Sequence, residues 1–320
     1  MVKIGLIGCG RWGRRHAETL AKRPGECQFV GIADTNKDVA ALAEKLHVHF
    51  FENYLELLPL VDAVSIVVPT IRHFRVVQDA FIARKHVLVE KPVSLDSIST
   101  RTLVGMAEEH GLILSVGYIY RFHPVVQAVK KAFPTLGDIA YLSARYVGGQ
   151  NRLWMDSGAI LNFGIHLIDI LNFILPVRPK KVYAQRKNLL DEMREDSATV
   201  ILVYENFSAT LELSCLHPKK ARGLEIIGRN GSIIADFERG TMQTYRTNSE
   251  NAALSDLKSE SFEIGNPLER ELAHFVKCVE TRETGLAAEI VNIGREEPET
   301  TRVCEYAIKA ALSGREVSLS

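Results

Sequence analysis

Three sets of side chains in this chain have the types and spacing to do chemistry. Glu90-Lys91-Pro92 closes the strand-like run His86-Val87-Leu88-Val89. A lysine partly withdrawn from water at a strand end has a depressed pKa, so it can donate a hydrogen bond to a substrate oxygen or exchange a proton with it. Asn162, His166 and Asp169 stand at i, i+4 and i+7 in a mostly apolar stretch, which aligns them on one helical stripe. Gly8-x-Gly10-x-x-Gly13 follows an apolar strand and opens a helix, the arrangement that cradles a pyrophosphate on helix N–H groups. A phosphate cradle, a strand-end lysine and a second proton-handling group are what hydride transfer between a nicotinamide and a hydroxyl or carbonyl partner needs.

The cofactor expectation extends beyond the glycines Gly8, Gly10 and Gly13. Arg11 and Trp12 lie inside the turn, and Asp34 ends the second strand-like run about 20 residues past the last glycine. A carboxylate there accepts hydrogen bonds from the adenosine ribose and repels a 2′-phosphate. Thr35-Asn36 adds no cation to favour that phosphate, so NAD is expected over NADP. Pro69, Thr70 and His73 follow the carboxyl end of another strand, where such sheets border their ligand crevice. Glu90 and Lys91 sit at the same edge one strand further on. His73 reads equally well as a helix-start residue without a ligand. Glu90 either orients Lys91 or faces away from it, and strand alternation favours opposite sides. The stripe has a competing reading as well: a core histidine bonded locally, with Asp169 paired to a basic residue elsewhere. No metal site is expected, since the stripe has one histidine and no cysteine or second acid cluster nearby.

These groups need a scaffold. Up to about residue 118, short continuous apolar runs (4–7, 29–33, 63–68, 87–89, 113–116) alternate with helical spacing (14–22, 38–46, 74–84, 97–109). That grammar predicts an α/β fold with a doubly wound parallel sheet. After about residue 121 the runs lengthen and some alternate: 139–147, 181–186, 198–204, 208–215, 224–227 and 232–236. Tight connectors at 205–207 and 229–231 predict hairpins. The expectation is an α+β second part with an open, mostly antiparallel sheet, covered on one face by helices at 158–175, 267–279 and from about 296. Residues 247–260, rich in Ser, Asn and Glu, read as a surface loop.

At 320 residues, two domains are the default. Lys+Arg and Asp+Glu are both 39, which leaves no basic face for nucleic acid or an anionic membrane. The five cysteines are scattered without a C-x-x-C pair, which argues for a reducing compartment. With no signal-peptide layout at the N-terminus and no apolar run near the ~20 residues that span a bilayer, a cytoplasmic location is expected.

At this point the residues match a family. With 8–13 followed by His16, Pro69 through His73, Glu90-Lys91-Pro92, Tyr120-Arg121-Phe122-His123-Pro124 and Gly158 through Asp169, the chain resembles the glucose–fructose oxidoreductase / inositol dehydrogenase / MocA (Gfo/Idh/MocA) oxidoreductases over nearly its whole length. The resemblance implies a Rossmann NAD-binding domain (1–121) and a substrate-binding and oligomerisation domain (122–320), with substrate between them and a homodimer or homotetramer. Carried over by position, Lys91 and His166 are the catalytic pair, with Arg121, Asn162 and Asp169 as substrate contacts. Many members have aspartate where this chain has Asn162. Asparagine cannot relay a proton, yet it can position a sugar hydroxyl, and its neutrality suits His166 as general base. In this it looks more like the UDP-N-acetylhexosamine 3-dehydrogenases than the free-sugar enzymes. The resemblance therefore points to oxidation of a ring hydroxyl, C3 of a nucleotide-linked amino sugar. A free-polyol or hexose dehydrogenase, or a non-catalytic NAD-binding regulator, are the rival readings.

Overall fold

A computed structural model describes residues 1–23, 25–148, 157–190, 192–247, 254–282 and 296–319. The chain divides into two compact units: Met1–Ile119 with Asn266–Pro298, and Tyr120–Gly265 with Glu299–Ser320.

The first unit is built on six parallel strands: β1 (Val2–Ile7), β2 (Cys27–Ala33), β3 (His49–Phe51), β4 (Ala63–Ile66), β5 (His86–Val89) and β6 (Leu114–Val116). Their order is β3-β2-β1-β4-β5-β6, so the winding reverses between β1 and β4, the place where such sheets open a ligand crevice. Strands β4 and β6 are buried along their whole length, as a sheet covered on both faces requires. The helices are α1 (Arg11–Ala21), α2 (Ala40–Lys45), α3 (Tyr54–Leu57), α4 (Thr70–Ile82) and α5 (Ser97–Glu109). Strand β3 escapes a periodicity reading because three residues carry too little pattern.

One helix differs from expectation. Pro267–Thr281, read from sequence as a cover for the second sheet, packs in the first unit. Its residues Leu268, Leu272, Phe275, Val276 and Val279 join a core with Val2, Ile4, Leu20, Cys27, Ala63, Leu88 and Ile113. The helical spacing of that stripe was legible, but nothing local says which sheet it covers.

In the second unit β7 (Ile139–Val147), β8 (Lys181–Lys187), β9 (Ser197–Val203), β10 (Ser208–Ser214), β11 (Ala221–Gly228), β12 (Gly231–Asp236), β13 (Thr241–Thr247), β14 (Leu254–Ser261) and β15 (Val317–Ser318) form one sheet. Its order is β14-β13-β12-β11-β7-β10-β9-β8-β15. Every pairing is antiparallel except β7 with β10. Both expected hairpins form, Ser208 opposite Val203 and Gly231 opposite Gly228. The expected loop at 247–260 is corrected in part: β14 pairs with β13 from Thr247–Leu254 to Thr241–Ser261. As an edge strand of sequence LSDLKSES it carries the polar side chains that blunt edges, and these mask the strand signal. Residues 248–253 of that stretch lie outside the described residues. Helix α6 (Pro124–Ala132) precedes β7. A π-helical turn, Ile160–Gly164, leads into α7 (Ile165–Ile174), every residue of which is buried.

Candidate active site

In the first unit, candidate residues gather at the carboxyl ends of β1, β2, β4 and β5. Gly8 turns the chain with φ +89, and a Cβ there would lie 2.7 Å from the Val67 carbonyl carbon and oxygen. A Cβ on Gly13 would lie 2.2 Å from the Gly8 carbonyl oxygen, so helix and turn close on each other only without side chains. Gly10 is different: nothing lies within 4 Å of its would-be Cβ, and it precedes α1 without a side-chain cap. Open space beside uncapped N–H groups, with no acid in the helix's first turn, is the fit a pyrophosphate needs. Asp34, at the end of β2, accepts from the Cys9 amide at 2.6 Å and the Asn36 amide at 2.8 Å. Its carboxylate is thereby pinned beside the glycine turn, where a ribose is expected. The NAD expectation fits these residues.

Pro69 is exposed and Thr70 buried at the start of α4, next to the Val67 contact with Gly8. Arg11 is exposed at the first position of α1. His73 is buried, with Nδ1 2.7 Å from the Pro92 carbonyl and Nε2 2.9 Å from the Val68 carbonyl. It braces the loop after β4 against the loop after β5 and so holds the backbone that carries Pro69 and Lys91.

Glu90 carries the clearest departure. Trp12 Nε1 donates to its Oε1 at 2.6 Å, and His16 Nε2 lies 3.3 Å from the same oxygen. His16 Nδ1 in turn lies 2.9 Å from Ser65 Oγ in the middle of β4. The Lys91 amide reaches Glu90 Oε2 at 3.3 Å, and the Lys91–Pro92 peptide is cis. Burial pushes the Glu90 carboxyl up, but the His16 contact, the Lys91 charge and the Trp12 hydrogen bond together hold it below the usual carboxylate range. Glu90 is therefore a half-buried anion tied to α1.

The second unit carries its own cluster of candidate residues. The Glu195 backbone carbonyl accepts from Ala159 N at 3.0 Å, and its carboxylate accepts from Ile160 N at 2.9 Å. These bonds hold the start of the segment that carries Asn162 and His166. The π turn there widens the helix, so the expected straight stripe is offset: Asn162 is half-buried on the π turn, and His166 and Asp169 follow on α7. The His166 ring stacks on Tyr146 (5.4 Å, 8°) and meets Tyr120 edge-on (5.4 Å, 71°). Phe163 also stacks on Tyr146, at 5.0 Å. Arg222 places its guanidinium 4.0 Å from the Tyr146 ring centre and donates to Tyr120 Oη at 2.9 Å. Burial pushes both phenols up, so Tyr120 and Tyr146 stay protonated and serve as walls and hydrogen-bond donors.

Arg121 and Asp169 bond to each other. The guanidinium meets Asp169 Oδ1 at 2.6 Å from NH2 and at 3.0 Å from Nε, and both side chains are 4% exposed or less. This is the pairing that the competing reading of Asp169 described, and it engages the guanidinium and the carboxylate with each other in a buried two-point ion pair.

Sequence reasoning left His16 and Ser65 without a role, although each carried a signal. His16 shares a helix face with Trp12, and Ser65 interrupts an apolar buried strand. Tyr146 and Arg222 had none, because they meet only through strand register, and Glu195 had none, because it reaches the 158–160 segment from a connecting loop. Arg222 stands directly opposite Tyr146 on the β11–β7 ladder. Among the described residues no helix is long and apolar enough to cross a membrane, and no group of His, Cys, Asp and Glu is arranged to hold a metal ion.

Residues 2–118 match the model of the Gfo/Idh/MocA oxidoreductase family, NAD-binding Rossmann fold, and residues 134–234 match that of the Gfo/Idh/MocA C-terminal domain. The chain is 33% identical over 246 residues to a UDP-N-acetylglucosamine 3-dehydrogenase of Acidithiobacillus ferrooxidans, covering 76% of this chain and 77% of that protein. It is 28% identical over 257 residues to a myo-inositol 2-dehydrogenase of Thermotoga maritima, covering 75% and 77%. A solved structure of the Acidithiobacillus enzyme superposes with a TM-score of 0.86 at 27% identity, over 98% of each chain. A levoglucosan dehydrogenase solved with NADH shares the fold at 16% identity, with a TM-score of 0.87 over 100% of this chain and 99% of that one. This protein belongs to the Gfo/Idh/MocA family of NAD-binding oxidoreductases.

Proposed function

We propose that the protein oxidises a ring hydroxyl of a nucleotide-linked amino sugar, at C3, and that Lys91 and His166 carry the reaction. The substrate class rests on the 33% likeness, over three quarters of both chains, to an enzyme named for UDP-N-acetylglucosamine. Asn162 supports it, as a neutral amide that can position a sugar hydroxyl one helical turn before His166. In the reaction, the O–H proton passes to the His166 imidazole while Lys91 donates a hydrogen bond to the oxygen on which negative charge develops. NAD, held by the Gly8–Gly13 turn and Asp34, would supply the two-electron acceptor for the hydride lost from the carbinol carbon as its C=O bond forms. Tyr120 and Tyr146 fix the imidazole plane, so His166 meets the hydroxyl with one ring orientation.

The test is nicotinamide absorbance with purified protein, NAD and a panel of UDP-N-acetylglucosamine, myo-inositol and free hexoses. Turnover of the nucleotide sugar to a 3-keto product is expected, and turnover confined to inositol or hexoses overturns the substrate class. Lys91→Ala should cut kcat by about 10²–10⁴-fold while NAD binding persists. Near-normal turnover in that variant removes Lys91 from the reaction.

A further inference from the structure

We propose that Arg222 is a positioning residue, a guanidinium that joins Tyr120 to Tyr146 and so sets the two ring walls against which the His166 imidazole is held. The inference rests on the reading of His166 as a reacting group, but the tether is argued from its own geometry, all of it within the second unit. Arg222 stands opposite Tyr146 on the β11–β7 ladder. Its guanidinium carbon lies 4.0 Å from the Tyr146 ring centre, and its NH1 donates to Tyr120 Oη at 2.9 Å. Both of these rings meet His166. Tyr146 lies 8° from parallel to the imidazole and Tyr120 meets it edge-on at 71°, each with ring centres 5.4 Å apart. The Arg222 backbone carbonyl also accepts from the Phe237 amide at 2.9 Å, and the Phe237 ring lies 5.8 Å from that of Tyr120. One residue thus fastens three rings of the cluster.

Only arginine has the shape for this. A guanidinium is planar, with a face that a ring's π-cloud attracts and donors in its own plane, so one group can cover Tyr146 and bond Tyr120 at once. A lysine ammonium is a compact charge without that fork. The Arg222 side chain is 14% exposed, and taking a charge that far from water costs stability that an aliphatic side chain filling the same space does not. Glu238 offsets part of that cost: its Oε1 lies 3.5 Å from Arg222 Nε, while its Oε2 meets Lys220 Nζ at 2.7 Å. The carboxylate therefore keeps a cation when Arg222 is replaced. What the guanidinium adds is direction. Ring faces slide on one another, whereas the bond to Tyr120 Oη holds an angle as well as a distance. Displacing a reacting group by about 1 Å costs up to about 10²-fold in rate, so the tether bears on the step at His166.

Two readouts test this, the first without any substrate. The full chain is prepared with ring-labelled histidine, its NMR spectrum is recorded with NAD at fixed alkaline pH, and the His166 signal is identified by its loss in His166→Gln. Its position reports the ring currents of Tyr146 and Tyr120. In Arg222→Met the signal should move toward that of an exposed imidazole such as His47, and Arg222→Lys should not bring it back. Tyr120→Phe keeps the ring, removes only the hydroxyl that Arg222 holds, and should move the signal the same way. The second readout is turnover of the nucleotide sugar. Arg222→Met should lower kcat about 10–100-fold with KM for NAD unchanged. The Arg222→Met, Tyr120→Phe double variant should lose no more than Arg222→Met alone, because both changes cut one tether. A His166 signal unmoved in Arg222→Met or in Tyr120→Phe, or kcat losses that multiply in the double variant, overturns the role. Circular dichroism identifies a variant that has not folded, and Tyr120→Phe decides the matter if Arg222→Met is one. If the signal moves as expected and the wild-type protein turns over no sugar, the proposed function fails and the tether stands.

Discussion

Around Glu90-Lys91 the contacts are polar and directional: an indole N–H and an imidazole meet the carboxylate of Glu90, a serine hydroxyl meets the far side of that imidazole, and a second histidine braces the next loop through two carbonyl groups. Around His166 the neighbours are rings. Tyr120, Tyr146 and Phe163 form walls, Arg222 covers one of them, and a buried Arg121–Asp169 pair lies one turn along the same helix. The two halves therefore trade different quantities. Hydrogen bonds to a half-buried charge set its protonation, so single-atom changes near Glu90 should alter chemistry with little loss of packing. Ring packing sets position by volume, so changes near His166 should register first as stability.

The largest effect is expected where a charge supports the packed half. Asp169→Ala leaves Arg121 buried without its carboxylate, and removing one partner of a buried pair costs about 3–5 kcal/mol. Chemical unfolding followed by circular dichroism should show that loss. Replacing both partners together, Arg121→Met with Asp169→Leu, should restore most of it, because apolar groups of similar volume avoid the desolvation cost. Equal destabilisation by single and double variants would show that the pair's charge is not what the helix needs.

A matched pair of glycine substitutions sharpens the contrast between the halves. At Gly158 a Cβ would lie 2.2 Å from the Glu195 carboxylate, the group that holds the start of the His166 segment. Gly158→Ala should cost about 1–3 kcal/mol from overpacking and lower kcat as that segment shifts. At Gly10 nothing lies within 4 Å, and φ is an ordinary −66. Gly10→Ala should leave stability within about 0.5 kcal/mol and weaken NAD binding by an order of magnitude, about 1.4 kcal/mol. Thermal unfolding and NAD titration read the two effects separately. A stability loss in Gly10→Ala of the size seen in Gly158→Ala would erase the distinction.

The same division explains what could be read from sequence. Gly8, Gly10, Gly13, Asp34 and Glu90-Lys91-Pro92 act through local turns and strand ends, so residue type and spacing carry their meaning. The buried parallel strands announce themselves as unbroken apolar runs. The ring cluster at His166 is not local. Arg222 meets Tyr146 only because of the β11–β7 register, and Arg121 finds Asp169 across 48 residues. Glu90 lies between these cases: its position was legible, but its partner Trp12 is 78 residues away, so the direction of its side chain was not. Helix 267–281 and strand 254–261 were misread for related reasons. An apolar stripe does not name its partner sheet, and a polar edge strand looks like a loop.

The smallest expected effect probes the polar half at its tightest point, the turn between Gly8 and Gly10. Burial pushes the Cys9 thiol up to about 11, with Asp34 and Glu18 adding to the shift and Arg14 opposing it. Set against its ordinary value of 9.0, that leaves about a hundredfold less thiolate near neutral pH. Iodoacetamide labelling of Cys9 should lag far behind that of the partly exposed Cys278, as read by peptide mapping. The sign of the linkage follows from the raised value. Between 9.0 and about 11 the folded thiol keeps a proton that the unfolded one has lost, so this contribution to stability is whole below 9.0 and declines as pH rises through that window. Cys9→Ala should flatten the alkaline fall in unfolding midpoint over the same range, while labelling of Cys9 at the rate of Cys278 would mean that the turn opens to water and that the polar half is looser than its hydrogen bonds imply.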